Sequence, residues 1–184
     1  TPIVSLLVNF FVGISVGSNV LISHNIGARE PEKAKSAVRT SMAFALAAGV
    51  FVAVLGNLIA VPIIDLLGVP AEVKDYSVTY LRIYFSGVPF IMLYNFEAAI
   101  FRSNGNTRTP LICLTAGGVF NVAANLFFVL VLGMDVDGVA IATVLANVIS
   151  SMMLLYYLRR EDSVIHVNVA KIRLNKDDLK TILR

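Results

Sequence analysis

The stretch SMAFALAAGVFVAVLGNLIAVPIIDLL, residues 41–67, decides the fold of this chain. It carries no charged side chain before Asp65, and its apolar residues cover every side of a helix instead of forming a single stripe. An α-helix needs about 20 mainly apolar residues to cross the ~30 Å hydrocarbon core of a bilayer. Residues 41–67 are therefore predicted to form a membrane-spanning helix.

Similar apolar stretches lie on both sides of this helix and are separated from it by short polar turns. They comprise residues 3–23, 76–101, 110–134 and 138–158. The composition agrees, because only 15% of the residues are charged, compared with about 25% in soluble domains. The short alternating segments that are typical of membrane β-barrels do not occur in the sequence. We therefore predict an all-α integral membrane protein with five transmembrane helices.

Lysine and arginine are concentrated in alternate loops. The basic loops are the first, the third and the C-terminal tail, with Arg29, Lys33, Lys35, Arg39, Arg102, Arg108, Arg159 and Arg160. The second and fourth loops are mainly acidic. Cytoplasmic loops of membrane proteins carry an excess of basic residues, so the basic loops and the tail are predicted to be cytoplasmic. The net charge of +3 then reflects membrane topology, and we expect no nucleic-acid partner.

The number of predicted helices leads to an expectation about the whole protein. The sequence begins at Thr1 without an initiator methionine, and five helices with a cytoplasmic tail place this residue on the outer side. We therefore expect a further helix before Thr1. In the tail, Asn175 is predicted to cap a short amphipathic helix over residues 175–184, with Asp178 in the capping-box position.

Polar side chains inside the predicted helices identify the candidate site, because they are costly in lipid. Asn121 and Asn125 are four residues apart on the fourth helix, and Thr143 and Asn147 repeat this spacing on the fifth. Each pair therefore shares one helix face, and the short turn between the helices makes them antiparallel neighbours. The four side chains are predicted to bind a small cation or a polar substrate, or to join the two helices by hydrogen bonds.

Glu97 is the only acidic residue well inside a predicted helix. Two roles are open for it: pairing with Arg102, Arg108 or the backbone at the cytoplasmic interface, or a carboxylate that binds a proton, a cation or a substrate. No enzyme signature is present, since the only histidines are His24 and His166 and no nucleophile–base pattern occurs. The single cysteine, Cys113, excludes a disulfide within the chain. We therefore predict that the chain is not an enzyme.

Three motifs resemble those of the multidrug and toxic compound extrusion (MATE) transporter family. Residues 13–38, GISVGSNVLISHNIGAREPEKAKSAV, resemble its second helix and the cytoplasmic loop that follows. Residues 101–111, FRSNGNTRTPL, resemble the signature between its fourth and fifth helices. Residues 118–150, GVFNVAANLFFVLVLGMDVDGVAIATVLANVIS, resemble its fifth and sixth helices. The resemblance covers the whole chain.

The resemblance implies a domain organisation. Residues 1–158 would be transmembrane helices 2–6 of the N-terminal lobe, which make up most of one six-helix lobe of a MATE-type transporter of the MOP superfamily. Residues 159–184 would be the cytoplasmic linker between the two lobes. The first helix and the C-terminal lobe of the same chain would complete the transporter in a multi-pass arrangement in the cell membrane, as in a bacterial plasma membrane.

The resemblance also implies a function, namely an antiporter that exports drugs or other amphiphilic or cationic organic compounds. Its coupling ion would be Na⁺ or H⁺, and no other cofactor is expected. In related members the cation site combines an acidic residue of the first helix with polar residues of the fifth and sixth helices. The latter correspond here to Asn121, Asn125, Thr143 and Asn147, with Na⁺ possible at the first three. Asn125 stands where some members carry a carboxylate, so the site has less negative charge here.

Two other functions remain open from the sequence. A lipid-linked oligosaccharide flippase of the same superfamily would favour basic residues that line its cavity, and only Arg82 qualifies. A membrane scaffold without transport activity is the other alternative.

Overall fold

The computed structural model describes residues 2–167 and 174–182, with side chains from residue 9 onward. Every regular element in these ranges is helical. The helices are α1 (Pro2–Gly27), α2 (Pro31–Leu66), α3 (Ala71–Ser103), α4 (Arg108–Leu126), α5 (Val136–Arg160) and α6 (Lys176–Ile182), and a π-helical turn (Phe127–Val131) continues α4.

Five helices in the described ranges are long and apolar enough to cross a membrane, which confirms the all-α prediction with five transmembrane helices. Helix α2 has 36 residues and is about 54 Å long at 1.5 Å per residue. It is longer than the hydrocarbon core, so its N-terminal turns, which carry Lys33, Lys35 and Arg39, extend beyond the membrane. Pro31 occupies the first turn, where a missing backbone N–H costs nothing.

Helix α3 lies at the centre of the bundle and packs against α1, α2 and α5. Its fully buried aromatic side chains, Phe85, Phe96 and Phe101, form much of the core. Helices α2 and α3 approach closely where Gly49 faces Pro89, because a Cβ atom on Gly49 would lie 2.7 Å from the Pro89 Cα. Only glycine allows the two backbones to come so close at this point.

The tail helix α6 packs against α1 and α2. As predicted, Asn175 caps it, since its Oδ1 accepts a hydrogen bond of 3.0 Å from the Asp177 N–H. The capping-box role of Asp178 is wrong, however. Its Oδ2 instead accepts hydrogen bonds from Ser36 Oγ at 2.5 Å and from Thr40 Oγ1 at 3.4 Å, because the side chain faces α2. The predicted linker also includes residues 168–173 and 183–184, which lie outside the described residues.

Replacing Asp178 with alanine is expected to loosen α6 without unfolding the transmembrane bundle. A hydrogen bond to a charged group contributes about 1.5–3 kcal/mol, so the opening equilibrium of α6 should rise about tenfold. Faster amide hydrogen exchange in residues 174–182 would measure this change. Asp177→Ala is the matched control, because Asp177 is exposed and hydrogen-bonds through its main chain. Equal exchange in the two variants would contradict the role given to Asp178.

Candidate functional site

A cluster of neutral polar side chains lies between α4 and α5, at the position that the four-residue spacing predicts. The Asn125 Nδ2 donates to Asn121 Oδ1 at 2.8 Å, and the Asn121 Nδ2 donates to Thr143 Oγ1 at 3.4 Å. The Thr143 hydroxyl donates in turn to the Val139 carbonyl at 2.9 Å. We call Asn121, Asn125 and Thr143 the polar cluster. The hydrogen bonds run in one direction along it, from α4 to α5.

Asn147 lies one turn beyond Thr143 and is not a link in this chain of hydrogen bonds. Its Nδ2 donates to the Thr143 carbonyl at 2.8 Å, within its own helix. All four predicted residues are half-buried. The structure therefore brings three of them into direct contact and places the fourth at the edge of the cluster.

The Asn125 Oδ1 is the most informative atom of the cluster. It is buried and has no hydrogen-bond partner among the described residues. A buried acceptor without a partner costs about 1–3 kcal/mol, so such atoms call for an explanation. Hard cations prefer oxygen ligands, and the cluster offers amide and hydroxyl oxygens at one place. The residues present therefore fit a small cation such as Na⁺.

A π-helical turn, Phe127–Val131, begins two residues after Asn125. Its wider winding is seen in the hydrogen bond from the Leu132 N–H to the Phe127 carbonyl at 3.2 Å. Single π-helical turns inside α-helices occur frequently at functional sites. The apolar sequence FFVLV contains no local signal for this turn, so the turn was not predicted.

Glu97 lies apart from the polar cluster. Its side chain is fully buried between α3 and α5, and its Oε2 accepts a hydrogen bond from Ser151 Oγ at 3.3 Å. Ser151 is eight residues beyond Thr143, which is about 12 Å along a helix. The Glu97 Oε1 has no hydrogen-bond partner in the described part of the chain.

The alternative of an ion pair between Glu97 and Arg102 or Arg108 is not seen in the structure. The salt bridges among the described residues join Lys33 to Glu30, Lys35 to Glu32 and Lys74 to Asp65. Arg102 is exposed, whereas Glu97 faces the interior. Ser151, the partner of Glu97, was not predicted from the sequence. The sequence gives only a weak indication of this partner, namely that Ser150 and Ser151 are adjacent polar residues in an apolar part of α5.

A groove with a volume of about 990 Å³ runs along α1 toward its C-terminal end. Most of its lining is apolar, with Phe10, Ile14 and Val20 among the residues. Its polar and charged lining residues are Asn9, His24, Asn25, Glu30, Lys33 and Thr181, the last of which belongs to α6. None of the polar-cluster residues lines it, so the groove and the cluster are separate features on different helices.

Five helices long and apolar enough to span a membrane define a multi-pass helical membrane protein. Comparison with known proteins agrees. Residues 1–127 match the family model described as MatE. The chain therefore belongs to the MatE family, a family of transporters.

Individual relatives match the whole chain. It is 33% identical over 192 residues to the "Probable multidrug resistance protein YoeA" of Bacillus subtilis, covering 100% of this chain and 41% of the relative. It is 26% identical to the "Multidrug export protein MepA" of Staphylococcus saprophyticus, with the same coverage. A solved structure of a multidrug resistance MATE family transporter in the inward-facing conformation superposes with a TM-score of 0.92 at 25% identity, covering 100% of this chain and 42% of that one. The chain thus spans about two fifths of the length of its relatives.

Proposed function

We propose that the protein is a cation-coupled exporter of amphiphilic or cationic organic compounds in a bacterial plasma membrane. The observation that carries this proposal is the polar cluster with its unpartnered Asn125 Oδ1. Coupled transport needs a site within the membrane that binds the driving ion, and such polar sites between helices are where ion pathways are found. The names of the relatives, which refer to multidrug resistance and export, support the same substrate class.

The chemistry of the polar cluster favours Na⁺ as its coupling ion. Asn121 and Asn125 are amides and Thr143 is an alcohol, and none of these side chains takes up or releases a proton in the physiological range. Their oxygens are suitable ligands for a hard cation. A proton would need a titratable group, which the cluster does not contain. Asn121, Asn125 and Thr143 would hold the ion, with Asn147 at the edge.

The groove along α1 is the part of this chain best suited to an organic substrate. Its volume of about 990 Å³ lies at the upper end of the range of about 300–1,000 Å³ for small-molecule pockets. An apolar lining along α1 with polar and charged groups toward one end, among them Glu30 and Lys33, fits an amphiphilic molecule. The flippase alternative depended on Arg82, which lies in a different cleft between α2 and α3 and does not line this groove.

Transport by the purified full-length protein in proteoliposomes tests the proposal. Ethidium movement should follow an imposed Na⁺ gradient, and Na⁺ should raise the thermal stability of the protein in detergent by mass action. K⁺ at the same concentration is the control. Transport driven by a pH gradient alone, with no response to Na⁺, would contradict Na⁺ coupling, and the absence of transport under any gradient would contradict the exporter.

Glu97→Gln tests whether the buried carboxyl takes part in transport. Glutamine has the same shape and offers Ser151 an acceptor, so expression and thermal stability should stay near those of the parent protein. We propose that Glu97, separately from Na⁺ binding in the polar cluster, exchanges a proton during the cycle, because its buried Oε1 has no hydrogen-bond partner among the described residues. An amide cannot exchange this proton. The pH dependence of the transport rate should therefore become flatter. An unchanged pH profile together with lower stability would assign Glu97 a purely structural role.

Cysteine labelling tests the predicted orientation. Cysteines at Lys33 and Asn104, both exposed, should react with a membrane-impermeant maleimide only from the cytoplasm. One at Val73, also exposed, should react only from outside. Background labelling should be low because the native Cys113 is buried. Reaction of the Val73 variant from the cytoplasmic side would overturn the topology.

A further inference from the structure

A cleft lined by both polar and apolar side chains opens on the outside of the bundle between α2 and α3. It has a volume of about 570 Å³ and is lined by Ala53, Val54, Asn57, Leu58, Arg82 and Ser86. The Asn57 Nδ2 donates to the Ala53 carbonyl at 2.8 Å and to Ser86 Oγ at 3.4 Å, and the Ser86 hydroxyl donates to the Arg82 carbonyl at 2.9 Å. These hydrogen bonds hold the cleft together and do not use the Arg82 guanidinium.

The depth of the cleft follows from helix geometry. Arg82 and Arg102 lie 20 residues apart on α3, which is about 30 Å at 1.5 Å per residue. Arg39 and Asn57 lie 18 residues apart on α2, which is about 27 Å. Both distances match the ~30 Å thickness of the hydrocarbon core. With Arg39 and Arg102 at one interface, the cleft therefore lies where hydrocarbon meets headgroups at the opposite interface.

Arg82 brings a positive charge to this depth and has no ion-pair partner among the described residues. The Arg82 side chain is exposed. Asp65, an acidic residue on the same side of the membrane, instead pairs with Lys74. The guanidinium carries five N–H donors and no acceptor. At the edge of the hydrocarbon core, an anionic ligand would satisfy both its charge and its donors.

We propose that the cleft formed by Asn57, Arg82 and Ser86 binds the headgroup of an anionic phospholipid, with the Arg82 guanidinium on the phosphate. Arginine matches phosphate geometry through paired N–H donors. The Asn57 amide nitrogen is bound within the protein, which leaves its carbonyl oxygen to accept from a headgroup hydroxyl. Phosphatidylglycerol supplies both groups, a phosphodiester and glycerol hydroxyls, and is the occupant that fits this chemistry.

The surroundings of the cleft favour a lipid over a soluble anion. Val54 and Leu58 line it and are 57% and 72% exposed. Acyl chains can pack on these side chains while the headgroup reaches Arg82. Inorganic phosphate would use the charge of Arg82 but would leave the apolar wall uncovered.

Native mass spectrometry tests the proposal. The full-length protein is released from nanodiscs that contain equal amounts of phosphatidylglycerol and phosphatidylcholine. The parent protein should retain phosphatidylglycerol preferentially. Arg82→Gln should lower this retention about tenfold, as expected for the loss of a charge-assisted hydrogen bond. Lys74→Gln removes a positive charge on the same side but outside the cleft and should change nothing.

A second variant separates lipid binding from charge. Ser86→Leu fills the cleft and keeps Arg82, and it should also lower the retention of phosphatidylglycerol. Equal retention of phosphatidylglycerol by Arg82→Gln and the parent protein would overturn the proposal. The Arg82 side chain would then only extend to water at the interface. Removal of the lipid by inorganic phosphate in excess would overturn its assignment to a lipid and leave a general anion site.

Discussion

Asn125→Leu is expected to abolish Na⁺-driven transport while the protein still folds and reaches the membrane. The change removes the donor that binds Asn121 Oδ1 and the buried Oδ1 that has no partner in the described part of the chain. Leucine is similar in size and apolar, so the contact between α4 and α5 should survive. The loss of one strong polar ligand, about 1.5–3 kcal/mol, corresponds to a fall of about 10- to 100-fold in Na⁺ affinity.

The rate of ethidium transport against Na⁺ concentration measures this effect, together with the Na⁺-dependent increase in melting temperature. Asn95→Leu is the matched control, because the Asn95 amide also lies in a transmembrane helix but binds the Ile91 carbonyl of its own helix. It should leave Na⁺ dependence unchanged. Parental transport by Asn125→Leu, with the same Na⁺ dependence, would reduce the polar cluster to a helix-packing contact.

Gly117→Leu should have the largest effect on the fold. A Cβ atom on Gly117 would overlap the Ser150 hydroxyl of α5 and lie 2.9 Å from the Ala146 carbonyl. The carbonyl belongs to the backbone and cannot move aside, so α4 must shift away from α5. Overpacking of this kind costs about 1–3 kcal/mol or more. Because Asn121 is one turn further along α4, the shift should also separate Asn121 from Thr143.

Gly118→Leu provides a control at the neighbouring residue. A Cβ atom on Gly118 would meet nothing within 4 Å, so this variant should express and melt like the parent protein. Fluorescence-detected size-exclusion chromatography and melting temperatures in detergent compare the two variants. Similar melting temperatures would show that the close contact between α4 and α5 does not limit stability.

The membrane fold and the position of the polar cluster follow from the amino-acid sequence. Long apolar stretches form α-helices in a membrane, because the backbone N–H and C=O groups cannot hydrogen-bond to water in hydrocarbon. An α-helix pairs these groups within one segment. The polar cluster could also be predicted, because the four-residue spacing of Asn121 and Asn125, and of Thr143 and Asn147, places each pair on one helix face. A short turn then brings these two faces together.

The partners of the remaining polar side chains depend instead on how the helices pack. Glu97 binds Ser151 on α5 instead of the nearby Arg102, Asp178 binds Ser36 on α2 instead of capping its own helix, and Gly117 is crowded while Gly118 is open. Sequence spacing defines a position on one helix. The partner depends on how the helices are rotated and packed against one another, and this is set by contacts between residues far apart in the chain.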